Sequence, residues 1–409
     1  MPHSPGNSDQ SFRRSAFSHL AHGACGLDYF GIGINNTFTE NYIDFRDKER
    51  YAAIRDINRA MALVEDILHE SHVVPSQVAL ILSDSTERWD FAGIADDKAN
   101  LFMFGNAAKG IHYKSTRLHY HTDRIGIYYA LIHGSRSPDL LIEEDIVHGD
   151  LKNYKVAYWV GDCIDPKALK GLEGWVQAGG QLFATAGAFR FDQYRRPLAE
   201  GLAFLGLKSA RLDEKTTFFR PQIELPRLAP LDYIGEMPVF GVVDRVQVAD
   251  GAKVVATFKS GSPAIVERVI GKGRITYVAA LPGPTYFWSN YQPVPVPPRG
   301  VLCHAPHVNF NAAAGKLVRD AASAATASVE AQGAWLDARL LQSPQGYAIP
   351  VANYSGDVTK PATITIRGVP GIRKVVSAAH GELKLKRNAD DSVSVTYPTG
   401  FGDMLRIEQ

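Results

Sequence analysis

The stretch YKVAYWVGDCIDPKALKGLEGWVQAGGQLFATAGAF (Tyr154–Phe189) decides the fold class. Tyr154–Val160 is an apolar strand and Pro166–Ala178 an amphipathic helix. Gly179-Gly180 stops that helix as a left-handed C-cap would, and Gln181–Thr185 is a second strand. Strand, helix and strand in this order predict a right-handed βαβ crossover and therefore a parallel sheet.

Working outward, Val78–Leu82 (VALIL) is a continuous apolar run, as expected of a parallel strand covered on both faces. Asp139–Ile142 adds a strand, with a helical turn at Glu143–Gly149. A helix from about Asp123 to His133 carries Ile125, Tyr128, Tyr129 and Ile132 on one side, while Asp96–His121 reads as polar and irregular. The expectation is an α/β protein whose centre is a doubly wound, flavodoxin-like domain at about 75–206. Upstream, the spacing predicts helices over Phe12–Gly23 and Asp47–His69, with a short strand at Leu27–Phe30 between them. Downstream, strands are expected at Val254–Phe258, Ala264–Ile270 and Arg274–Ala280, the last two joined as a hairpin through Gly271-Lys272-Gly273. Pro293–Pro298 is an extended loop, and Ala-rich Asn311–Ala331 has the propensity of a helix. Past Gly333 the runs Gly346–Asn353, Ala362–Ile366, Lys374–Ala378, Glu382–Lys386, Ser392–Thr396 and Met404–Ile407 predict a small antiparallel β-sandwich.

The chain has 409 residues, 45% of them apolar and 21% charged, with a formal net charge of +1. Such a chain carries several domains and an ample core. Its balanced charge, without basic runs interleaved with aromatics, excludes a nucleic-acid partner. No apolar stretch is long enough to span a bilayer, so no membrane partner is expected. The 3 cysteines are far apart and frame no disulfide set or zinc ribbon. No export signal is legible; the compartment is left open, with the cytoplasm as default.

Few stretches promise chemistry. Thr185, in the turn after Gln181–Thr185, stands where a nucleophile elbow would expose Ser or Cys. Threonine attacks poorly without an adjacent base, and a strand end is the expectation. Cys163 follows a neighbouring strand and reads as a partly buried thiol. His119 and His121 would share a face of an extended segment, close to His112 and Asp123. Zinc accepts such a set, but no spacing rule makes them converge, so no metal is expected. Gly31–Gly33 (GIG) and Gly271–Gly273 (GKG) lack the spacings of nucleotide loops and read as turns. No cofactor is expected.

Several stretches together resemble the trimeric microbial β-galactosidases of glycoside hydrolase family 42 and their divergent relatives. AFSHLAHGACGLDYF (Ala16–Phe30) looks like the last helix and strand of their catalytic (β/α)8 barrel. ESHVVPSQVALILSDSTERWD (Glu70–Asp90), LLIEEDIVHGDLKNYKVAYWV and GLEGWVQAGGQLFATAGAF resemble their trimerisation domain, which is similar to class I glutamine amidotransferases. PAIVERVIGKGRITYVAALPG (Pro263–Gly283) is like the hairpin closing that domain. GYAIPVANYS through FGDMLRIE is similar to their C-terminal β domain. The implied division is 1–74 as the remnant of a barrel, 75–335 as trimerisation domain and 336–409 as sandwich.

The resemblance implies a chain that starts at the seventh barrel strand, whose terminal strands would lack neighbours over residues 1–46. A retaining glycosidase needs an acid/base and a nucleophilic carboxylate. By the resemblance, the acid/base lies on an earlier strand, and Pro2, in Met1-Pro2-His3-Ser4-Pro5-Gly6, fills the nucleophile's position. Catalytic residues therefore stay unknown, and whether the chain is itself an enzyme stays open. Glu40, in TFTENY, falls near the family's sugar-binding Glu. With Tyr29, Phe30 and Tyr42 it would suit a carbohydrate ligand, carboxylate to hydroxyls and aromatic faces to C–H groups; Asp28 is a weaker candidate of the same kind. Three readings result: the oligomerising, accessory part of a β-galactosidase-like protein, a homotrimer by resemblance; an active glycoside hydrolase once the barrel is completed by a longer chain or a partner; and an amidotransferase-like hydrolase at Thr185.

Overall fold

A computed structural model of the chain describes residues 9–29, 32–33, 43–44, 48–89, 117–214, 218–220, 224–227, 230–290 and 309–409. The expected strand–helix–strand unit is present: strand Val156–Val160, helix Pro166–Ala178 and strand Gln181–Thr185. Asp165 caps the helix, its side chain accepting from the Lys167 N–H at 2.7 Å, and Pro166 occupies the first turn, where no N–H is needed. Gly179, at φ +129°, ends it. A Cβ on Gly180 would sit 2.3 Å from the Trp175 ring, so only glycine lets the chain turn back into the sheet so closely.

That unit lies inside a seven-stranded sheet, ordered Ala252–Thr257, Pro263–Ile270, Gly273–Val278, Gln181–Thr185, Val156–Val160, Val78–Leu82, Asp139–Ile142. The last five run parallel to one another; the first two add an antiparallel extension. Every residue of Val156–Val160 is buried, as a central strand covered on both faces must be.

Two antiparallel sheets form the C-terminal part. One orders Val329–Gln332, Ala362–Ile366, Val393–Tyr397, Lys386–Arg387; the other runs from Gly381–Glu382 through Lys374–Ser377, Gly402–Glu408, Gly346–Asn353 and Leu341–Ser343 to His72–Val73. Ile349, Val351, Ile364, Val375, Val395 and Leu405, from both sheets, share one core.

The N-terminal helices Asp9–Ala21 and Lys48–Ala62 pack on that second sheet. Phe12, Phe17, Leu20 and Ile57 bury themselves against Leu341, Ala348, Ala352 and Met404. His72–Val73 pairs with Leu341–Ser343 in the same sheet, so this end of the chain is fastened to the other.

Some expectations shift. The Asn311–Ala331 helix ends at Ala321, and Val329–Gln332 becomes a strand. Alanine propensity is a weak preference, and pairing of Val329 with Ile366 overrides it. Leu27–Tyr29 forms no strand, and Glu382–Lys386 divides into two short pieces. Leu207–Glu214, Met237–Phe240 and Val242–Val248 are further strands, in a region for which the sequence predicts no element. Pro293–Pro298 lies outside the described residues.

Gly402 tests the N-terminal docking. A Cβ there would lie 2.2 Å from the Phe17 ring. Gly402→Ala is expected to lower unfolding stability by ~1–3 kcal/mol in urea titrations. The same change in a Phe17→Ala background should cost far less, which a double-mutant cycle measures.

Candidate functional site

Ligands and catalytic groups of an open α/β sheet gather beyond the carboxyl ends of its strands. Two polar clusters occupy those ends here, and both are buried.

The first surrounds the turn after Gln181–Thr185. Helix Arg117–His133 begins earlier than expected and carries His119, Tyr120 and Asp123 into it. It approaches helix Pro282–Trp288 so closely that a Cβ on Gly126 would lie 2.2 Å from the Gly283 carbonyl oxygen. That approach lets Asp123 Oδ1 accept from the Gly283 N–H at 2.7 Å. Asp123 has no exposed surface, and burial pushes its carboxyl up to about 7, against the opposing pull of the Gly283 N–H, the Thr185 hydroxyl and the Arg124 charge. Arg124 is itself ion-paired with Glu87. His119 is buried beside Gly241, neither ring nitrogen has a hydrogen-bond partner among the described residues, and burial holds its pKa down to about 4. On the strand side, Tyr277 Oη donates to Asp244 Oδ2 at 2.6 Å, and the Gly187 N–H reaches both at 3.3 Å. Gly187, at φ +85°, has room for no side chain, since a Cβ would fall 2.1 Å from the Tyr120 hydroxyl.

Thr185 is fully buried in this cluster, with Ala186 and Ala188 equally covered. A hydroxyl that no substrate reaches is no nucleophile, so the Thr185 turn is a packed strand end. His119 and His121 lie on a helix rather than an extended segment. Two residues apart on a helix they point away from each other, one buried and one exposed. Among the described residues no group of histidine, cysteine and acidic side chains could hold a metal ion; His112 lies outside them.

The second cluster ties three strand ends together. Glu143, just after Asp139–Ile142, accepts from Ser83 Oγ at 3.0 Å and the Ser85 N–H at 3.1 Å through one oxygen. Through the other it accepts from Ser85 Oγ at 2.9 Å and the Asp165 N–H at 2.6 Å. Burial raises this carboxyl even so. Cys163 is buried beside it, its thiol donating to Asp162 Oδ1 at 3.2 Å.

A third node joins the N-terminal helix to the rest. Asp337, fully buried, accepts from Ser18 Oγ, and His22 Nε2 lies 3.0 Å from its Oδ1 and 3.0 Å from Tyr128 Oη. These are polar partners from three distant segments, which no periodicity could bring together.

Of the residues expected to meet a carbohydrate, Tyr29 is described. Its ring stacks on Phe12 at 5.8 Å, its hydroxyl donates to Asn58 Oδ1 at 3.1 Å, and burial pushes its pKa up to about 12. Asp28 is exposed. Phe30, Glu40, Tyr42 and Pro2 lie outside the described residues.

This arrangement of layers is a known one. It is the fold of about half a family 42 β-galactosidase. The β-galactosidase from Bacillus circulans sp. alkalophilus matches over 98% of this chain and 52% of its own, at 14% identity and a TM-score of 0.61. The enzyme from Rahnella sp. R3 matches over 98% and 52%, at 17% identity and a TM-score of 0.58. A family 42 β-galactosidase from G. stearothermophilus matches over 98% and 51%, at 13% identity and a TM-score of 0.58. The chain thus spans about half the length of these structures. No protein-family model matches the sequence, and no curated protein matches it significantly. No helix among the described residues is long and apolar enough to cross a membrane.

Asp123 gives a pH prediction. A buried acid held up to about 7 is protonated in the folded state while its unfolded counterpart ionises near 3.8. Its favourable contribution is therefore whole below about 4 and lost as pH rises to about 7, a swing on the order of 4 kcal/mol. His119 works in the opposite sense below its usual 6.5, so the parent's own profile is flattened. Asp123→Asn isolates the carboxyl: relative to the parent, the variant should gain several kcal/mol between pH 4 and pH 8 in urea titrations. An unchanged difference would mean that Asp123 stays ionised.

Proposed function

We propose that this chain is the assembly and accessory part of a β-galactosidase-like glycoside hydrolase, oligomerising through its α/β domain, as a trimer by resemblance. The observation that carries this reading is the shared fold over 98% of the chain with about half of such enzymes. The division into 1–74, 75–335 and 336–409 belongs to the same proposal, with strand Val329–Gln332 lent to the last part. The parallel order, with the second strand in sequence outermost and the first beside the third, supports a flavodoxin-like central domain. The two C-terminal sheets around one core support a β-sandwich.

The state of the described strand ends favours an accessory role. Asp123, Glu143, Asp162 and Asp244 are buried, and Thr185 and Cys163 are covered. A retaining glycosidase needs two carboxyls about 5 Å apart across an open sugar site, and these acids face backbone and side-chain donors instead. Catalysis, in the alternative reading, rests on carboxylates beyond them, with Glu40, Phe30 and Tyr42 beside Tyr29 as the carbohydrate contact.

Light scattering on the purified chain should give a multiple of the protomer mass, and nitrophenyl β-galactoside should not turn over. Turnover abolished by Glu40→Gln would replace this reading with the alternative. A monomer at every concentration would remove the assembly role.

A further inference from the structure

Six of the nine large apolar side chains exposed among the described residues stand at the two edges of the seven-stranded sheet. At one edge, Leu140 (54% exposed) and Ile142 project from strand Asp139–Ile142 and Val147 from the helix that follows. At the other, Val254 and Val255 project from Ala252–Thr257, and Val269 (68% exposed) from its neighbour. Val254 and Val255 are consecutive, so the outer strand shows apolar surface on both faces. Among the described residues no strand pairs along the outer side of either edge, apart from the bridge of Phe258 to Ile234 just past Thr257, and an edge with bare β-branched side chains is a template for another chain.

The two edges also differ in charge. Lys253 and Lys259 flank the valines and are exposed, while Asp250 nearby is paired with Lys208 at 3.1 Å. The Leu140 edge runs into Glu144 and Asp145, with Asp150 following. Both edge strands point in one direction, because each is parallel to the central strands.

We infer that the occupant of each edge is the opposite edge of a second copy of this chain, a head-to-tail contact of apolar stripe on apolar stripe with lysines facing carboxylates. This rests on the assembly role proposed above and adds to it which surfaces meet. Pairing in the Val254–Thr257 region is irregular, so side chains rather than a long shared ladder carry the contact. A heterologous contact closes into a ring if its rotation allows.

Two double variants test it: Leu140→Lys with Val147→Lys, and Val255→Glu with Val269→Glu. All four positions are exposed, and circular dichroism checks that each protein folds. With an oligomeric parent, each variant alone should sediment as a monomer, and an equimolar mixture should form a heterodimer and stop there, since each copy keeps one intact edge. An oligomeric parent whose variants stay oligomeric, or a mixture that stays monomeric, overturns the inference while leaving the assembly role standing. A monomeric parent overturns both. If a double variant misfolds, Lys253→Glu should dissociate the parent, and adding Glu144→Lys should restore it; failure of both effects is equally decisive against the contact.

Discussion

The close approach of Gly126 to Gly283 is the constraint around which the α/β part is arranged. Any side chain at either position would meet the other's backbone or its neighbours at about van der Waals collapse, with separations near 2 Å. With both bare, helix Arg117–His133 settles beside helix Pro282–Trp288, and Asp123 comes within reach of the Gly283 N–H. The far end of the same helix carries Tyr129 and His133 into an aromatic cluster. There His133 lies 4.6 Å from Phe310 and 4.9 Å from Tyr354, ring to ring. One helix thus contacts both the sheet's carboxyl end and the C-terminal part.

Polar groups at the carboxyl ends of the strands act as struts. Glu143, itself just past one strand, takes donors from the segments following two others, and Asp244 takes Tyr277 and Gly187. A buried carboxylate is costly unless its oxygens are filled, and Glu143 is filled while Asp123 lies closer to neutrality. The consequence is that the described carboxyl ends of these strands pack against one another.

The sequence revealed what local physics controls. Val78–Leu82, Asp139–Ile142, Pro166–Ala178 and Gln181–Thr185 are legible to the residue because apolar runs, an amphipathic helix and a glycine stop agree with one another. Asn311–Ala331 misled because composition favoured helix while a partner strand far along the chain decided otherwise. The polar nodes were invisible for the same reason. Ser18, His22, Tyr128 and Asp337 come from three segments, and nothing in their local spacing announces a meeting. His119 and His121 looked paired only while their segment was taken as extended; in a helix that pairing disappears.

The Asp337 node bears on how the parts are joined. Its carboxylate binds Ser18 and His22 of the N-terminal segment, and His22 in turn contacts Tyr128 of the long helix. Arg14 adds a hydrogen bond to the Ser355 carbonyl at 3.2 Å. Arg406 meets Asp66 through both guanidinium nitrogens, which holds that carboxyl below its usual range. The second contact is exposed and contributes little by itself. The Asp337 contacts are buried, and removing its carboxylate would leave Ser18 and His22 without that acceptor. The N-terminal helices are therefore fixed to the C-terminal sheet by apolar burial, and the His22–Tyr128 contact ties them to the long helix of the α/β part.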